Sequence, residues 1–290
     1  MKFATARVEG EEVIGFIQDS QFINLTRASK GDFPKTMNEA LQFGDKLIHK
    51  VNEILKMDIT EATVPLASVK LLAPIPRPAK NIFCVGKNYA AHAIELGSEA
   101  DIPEAPMFFS KTPTTVIGPH ESIPAHEHVT EALDYEGELG VIIGKKGFAI
   151  EKEKAFDYVF GYTIINDITA RDLQKRHKQF LLGKSLDGSC PMGPYIVHKS
   201  ALNHPHALKI ETKVNGELRQ SATTEQLIFD IPELISVLSQ GMTLEPGDII
   251  ATGTPAGVGM GFTPPKLLKA GDTIEITIEG IGTLINSVNS

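Results

Sequence analysis

The chain has 290 residues, 42% apolar and 22% charged, which supplies a full globular core and excludes a disordered polymer. Its net charge of −8, spread along the length, argues against nucleic acid or an anionic membrane surface as the main partner. Cys84 and Cys190 are too few and too far apart to form a disulfide framework or a thiolate metal site, so both read as buried free thiols.

From the N-terminus, residues 1–12 carry charges at Lys2, Arg7, Glu9, Glu11 and Glu12 where a signal peptide needs an apolar core. No run of about 18 apolar residues follows, so a cytoplasmic protein acting on a small molecule is expected. Residues 3–25 alternate short β-rich runs with turns, and 36–55 space Met37, Leu41, Leu47, Val51, Ile54 and Leu55 as a helix would. Pro65, Pro74, Pro76 and Pro78 exclude a helix over 64–80 and predict an extended connector. This places a small α/β domain with its connector at 1–75 and a catalytic domain at 76–290. In the latter, β-rich runs recur at 81–85, 107–110, 135–143, 162–166, 195–198, 209–214, 248–252 and 273–278. Turn-forming pairs such as Asn215-Gly216, Gly247-Asp248 and Gly271-Asp272 separate several of them, predicting an α+β protein dominated by strands.

Read with period two, residues 133–143 put Leu133, Tyr135, Leu139, Val141 and Ile143 on one face and Asp134, Glu136, Glu138 and Gly140 on the other. Carboxylates two apart on a strand lie about 6.5–7 Å apart and repel by about 2–2.5 kcal/mol at an effective dielectric of about 20. Water would relieve that repulsion on an exposed strand, and a bound cation would relieve it in a buried one. Gly137 and Gly140, poor strand formers, favour the buried site by leaving room for a ligand beside the acids. Oxygen ligands without thiolate or clustered imidazole suit Mg²⁺, Mn²⁺ or Ca²⁺. The run 162–167 ends in Asp167, a candidate third ligand, and 169–178 has helical character that sets Arg171 and Gln174 on one face. Asp167 could equally be an N-cap and Arg171 a surface ion-pair partner.

Taken together, Asp134-Tyr135-Glu136-Gly137-Glu138-Leu139, Asn166-Asp167-Ile168-Thr169-Ala170-Arg171-Asp172, Gly183-Lys184-Ser185-Leu186-Asp187, Pro191-Met192-Gly193-Pro194 and residues 252–259 resemble the fumarylacetoacetate hydrolase family. The likeness covers residues 70–290 and is nearest to the family's bacterial oxaloacetate decarboxylase branch, whose small N-terminal domain residues 1–70 also resemble. It implies a mixed β-roll catalytic domain, and Glu136, Glu138 and Asp167 as ligands of Mg²⁺ or Mn²⁺. Asp134 matches no family ligand. Residues 86–95 resemble the family's mobile lid, with His92 and Glu95 as a general-base pair and Gly86 as a hinge; on residues alone they could be an ordinary surface helix. Lys184, in its Gly-Lys-Ser turn, could meet developing negative charge, with Lys111 a weaker cation of that kind; Arg171 and Gln174 sit on the helix face near the metal site as substrate contacts, and the likeness implies Thr254 at a substrate carboxylate. The glycine-rich loop 253–261, interrupted by Pro255, would be a backbone cradle for a substrate carboxylate. His126 and His128, beside Pro124 and Glu127, read as a polar loop, and His204 and His206 as turn residues around Pro205.

These residues would chelate a 2-keto acid through one divalent ion and stabilise its enolate. The expected reaction is decarboxylation of oxaloacetate to pyruvate and CO₂. Hydrolysis of a C–C bond in an acylpyruvate is the alternative, and a non-catalytic binding protein on the same fold is a third. The resemblance further implies a homodimer.

Overall fold

The computed structural model describes residues 1–44, 46–202 and 204–290. At the N-terminus, strands Lys2–Val8, Glu11–Gln18 and Gln21–Asn24 form an antiparallel meander. Its two-residue turns, Glu9-Gly10 and Asp19-Ser20, have positive φ at both positions, the geometry that matches strand twist. The helical run 36–55 resolves into two helices, Met37–Leu41 and Lys46–Ile54. Thr36 and Glu39 close a capping box at the first, and Gly44 takes φ +53° between them. The proline-rich connector holds two short strands, Thr63–Pro65 and Lys70–Leu71.

Lys2–Val8 also pairs with Cys190–His198, setting Phe3 opposite Ile196, so the meander continues into the main sheet. That sheet has 12 strands; from Cys190–His198 it passes through Val159–Asn166, Gly137–Ile143, Ile249–Ala251 and Ile82–Gly86 to Met107–Lys111. One apolar cluster spans both parts of the chain, joining Phe3, Phe16, Leu41 and Val51 to Ile82, Phe160, Ile165 and Met192. Burying each such large side chain contributes about 1.5–3 kcal/mol before entropy is counted.

A second sheet of 5 strands orders Glu217–Thr223, Lys209–Val214, Thr273–Ile278, Gly282–Asn289 and Ile123–Pro124. Its first hairpin turns at Asn215-Gly216, both with positive φ. The fold is α+β. Among the described residues, no helix is long and apolar enough to cross a membrane.

Candidate active site

The site forms where neighbouring strands of the main sheet end together. Gly137–Ile143 and Val159–Asn166 are antiparallel, with Gly137 opposite Asn166, so the residue before one strand faces the residue after the other. The Asp167 amide donates to the Glu136 carbonyl at 2.8 Å, and the Glu136 amide to Asn166 Oδ1 at 3.1 Å. Glu136, Glu138 and Asp167 thereby converge, each offering a carboxylate oxygen within 4.8 Å of the others, and all three are buried. Ile249–Ala251 pairs along the other edge of Gly137–Ile143 and delivers Gly253, whose amide donates to Glu138 Oε2 at 2.8 Å.

The sequence pattern suggested one wet or ligand-facing side of a continuous strand, and the backbone corrects this. The ladder breaks at Tyr135 and Glu136, and residues 133–143 are buried on both faces. Gly137 and Gly140 do not clear ligand space either. A Cβ on Gly137 would lie 2.3 Å from Thr212 Oγ1, and one on Gly140 would lie 2.8 Å from Ile165 Cδ1. Gly137 admits side chains of the second sheet, and Gly140 admits those of the neighbouring strand Val159–Asn166.

Four buried carboxylates, Asp134, Glu136, Glu138 and Asp167, meet three buried cations, Lys111, Arg171 and Lys184. Lys184 Nζ bridges Glu136 Oε2 and Asp167 Oδ2, each at 2.8 Å. Arg171 holds Asp134 through Nε at 2.8 Å and Glu136 through Nη1 at 2.7 Å. Burial opposes ionisation of Glu136, but Lys184 and Arg171 outweigh it and hold the carboxyl at about 2. Glu138 has no cation within ion-pair distance among the described residues; burial and the charges of Asp167 and Glu136 push its carboxyl well above the usual range. Asp167 Oδ1 accepts no hydrogen bond, although Lys111 Nζ lies 2.8 Å away and donates to the Ile168 carbonyl at 2.9 Å. An oxygen-only trio that includes a carboxylate with no ion-pair partner among the described residues fits a hard divalent cation.

A cavity of about 500 Å³ opens over the trio, lined by His92, Glu136, Glu138, Arg171, Gln174, Lys184 and Thr254 among the expected residues. Phe109, Phe180, Leu96 and Met107 supply apolar wall, and Lys87 and Lys175 add charge. Glu95, Asp167 and Lys111 stand behind this lining. Lys111 is fully buried, reaching Asp167 and Ile168 rather than the cavity. Helix Ala90–Glu95 sets His92 Nδ1 2.8 Å from Glu95 Oε1. With Nδ1 so occupied, Nε2 is the nitrogen that can exchange a proton with a molecule in the cavity. Arg171 Nη1 donates to Gln174 Oε1 at 3.3 Å, while Nη2 is buried without a hydrogen-bond partner. Gly86, the expected hinge, closes strand Ile82–Gly86, where a Cβ would lie 2.4 Å from Met107 Cε.

The loop 253–261 turns four of its amides on the protein's own acids. Besides Gly253 on Glu138, Gly257 donates to Glu95 Oε2 at 2.9 Å, and Gly259 and Met260 donate to Asp134 at 2.7 and 3.0 Å. The Thr254 hydroxyl donates to the Gly137 carbonyl and accepts from Gln220 Nε2. Asp134, set aside in the sequence because it resembled no ligand, is therefore a hub of the site. Its signal was the two-residue spacing ahead of Glu136 and Glu138. His126 binds the Asp187 carbonyl at 2.8 Å, and no other cluster of metal-ligating side chains occurs among the described residues.

A family model described as fumarylacetoacetate (FAA) hydrolase C-terminal matches residues 81–289. Oxaloacetate tautomerase YisK of Bacillus subtilis is 56% identical over 99% of this chain and 100% of its own length. The solved fumarylacetoacetate hydrolase of Exiguobacterium antarcticum superposes with a TM-score of 0.86 at 43% identity, covering 100% of this chain and 99% of its own. Maleylpyruvate hydrolase of Sphingobium, solved with manganese(II) and pyruvate, gives 0.80 at 31% identity, covering 100% and 99%. The chain belongs to the fumarylacetoacetate hydrolase family.

Proposed function

We propose that this protein is a divalent-metal-dependent enzyme that carries oxaloacetate, or a similar 2-keto dicarboxylate, through its C3 enolate and interconverts the keto and enol forms. The observation that carries this is the part-buried His92–Glu95 pair, 2.8 Å apart, with the imidazole facing the cavity above the acidic trio. Mg²⁺ or Mn²⁺ held by Glu136, Glu138 and Asp167 would supply the Lewis acidity that polarises the 2-keto group. His92 Nε2 takes the C3 proton, the C–H electron pair forms the C2=C3 bond as the carbonyl π pair moves onto oxygen, and return of the proton to oxygen completes a redox-neutral isomerisation. Glu95 orients the imidazole and stabilises its charged form. Lys184 faces the negative charge that develops on oxygen. Arg171 Nη2, a buried donor with no partner, suits a substrate carboxylate. The name of the Bacillus subtilis relative supports proton transfer as the reaction.

Decarboxylation instead breaks the C3–C4 bond, whose electron pair forms the C2=C3 bond of the pyruvate enolate as CO₂ leaves, and the buried Lys184 ammonium favours it as the second reading. It needs no base. The test is a stopped-flow assay of enol–keto interconversion run beside a coupled assay of pyruvate release, each with and without Mn²⁺. Metal-dependent interconversion should fall about 10²–10⁴-fold in His92→Asn. Pyruvate release that survives His92→Asn marks decarboxylation, and a metal-loaded wild type that leaves interconversion at its spontaneous rate defeats the main proposal.

A further inference from the structure

We propose that Asp134 is a positioning residue: it clamps the glycine-rich loop so that Gly257 holds Glu95, and through Glu95 it aims the His92 imidazole. Asp134 is fully buried, and every contact of its carboxylate is a donor. Oδ1 accepts from the Gly259 and Tyr135 amides at 2.7 and 2.9 Å, and Oδ2 accepts from the Met260 amide and Arg171 Nε at 3.0 and 2.8 Å. Only an ionised carboxylate answers four donors converging from three segments; a carboxamide would turn its NH₂ on two of them. Two residues upstream of the clamped amides, Gly257 donates to Glu95 Oε2, while Oε1 of the same carboxylate faces His92. The path from Asp134 to the imidazole thus runs through one short stretch of backbone. Its tightness shows at both ends: a Cβ on Gly261 would lie 2.4 Å from Glu95 Oε2, and one on Gly259 would lie 2.6 Å from Asp134 Oδ1.

This rests on the His92–Glu95 pair acting in proton transfer. Asp134→Asn, Glu95→Gln and the double variant are compared at saturating Mn²⁺ by kcat and KM for interconversion, and by hydrogen–deuterium exchange over residues 253–261. Asp134→Asn should lower kcat about 10²-fold through a displaced base, with KM within threefold, roughly, of wild type. Exchange in the loop should rise. In the Glu95→Gln background the same substitution should cost less than about threefold more, because both changes act on one imidazole. If Asp134→Asn does not yield folded protein, Gly259→Ala pushes the loop off an intact Asp134 and must show the same non-additivity. Equal losses in both backgrounds, or unchanged kcat in the single variant, overturn the clamp while leaving the base pair standing. Wild-type turnover in Glu95→Gln alone overturns the base pair and the clamp together.

Discussion

Lys111 offers a severe check on the electrostatics of the site. Its Nζ lies 2.8 Å from Asp167 Oδ1, and both side chains have no exposure at all. At that distance and an effective dielectric of about 20 the gross attraction is about 6 kcal/mol. Lys111→Met keeps the volume and removes the charge, leaving Asp167 to Lys184 alone. Removing one partner of a buried pair costs about 3–5 kcal/mol, and the surviving Lys184 contact at 2.8 Å sets the loss here toward the lower end. For a chain of this size that should lower Tm by roughly 6–15 °C, read by calorimetry on metal-free protein. Loss of a nearby positive charge should also tighten Mn²⁺ binding, so saturating Mn²⁺ should recover part of the deficit. Because Lys111 does not line the cavity, KM measured with saturating metal should stay within about threefold of wild type. A Tm within about 2 °C of wild type would show that the buried pair contributes little. A KM raised about tenfold or more would instead place Lys111 at the substrate.

Metal binding should release a proton from Glu138, since burial and two neighbouring carboxylates raise that carboxyl well above its usual range. Calorimetric titration with Mn²⁺ in buffers of different ionisation enthalpy should find proton release that grows as the pH falls through the folded pKa, with Kd tightening as the pH rises toward that value. Glu138→Gln should abolish that release. The sign for stability follows the same shift. A raised carboxyl contributes to stability below its unfolded pKa and loses that contribution as pH rises through the folded value, so metal-free protein should weaken across that window in a urea-melt series and metal-loaded protein should not. Gly257→Ala puts a side chain at φ +104° and 1.9 Å from the Arg219 carbonyl, so it should cost about 1–3 kcal/mol or more and free Glu95. A wild-type urea midpoint and wild-type kcat in that variant would show that the loop yields at no cost.

Local chemistry alone was enough to indicate much of the fold. Strands Lys209–Val214 and Thr273–Ile278 follow their alternating residues end to end, and Asn215-Gly216 turns the hairpin its side chains favour. Weakly patterned strands such as Glu217–Thr223, Gly282–Asn289 and the first half of Cys190–His198 were not legible, because their pairing is supplied by neighbours distant in the chain. The acidic trio was visible as E-x-E spacing and a strand-ending aspartate, helical spacing set Arg171 beside it, and the family resemblance added the lid and Lys184.

Sequence by itself determined which charged groups this protein carries to its site, since residue types and short spacings are properties of the chain. Only the tertiary structure decided how those charges are divided: Glu136 and Asp167 share Lys184, Asp167 is backed by Lys111, Asp134 takes Arg171 and two loop amides, and Glu138 has no ion-pair partner among the described residues. The physical reason is that burial makes each pairing depend on distances of a few ångströms between segments that meet only when the sheet has closed.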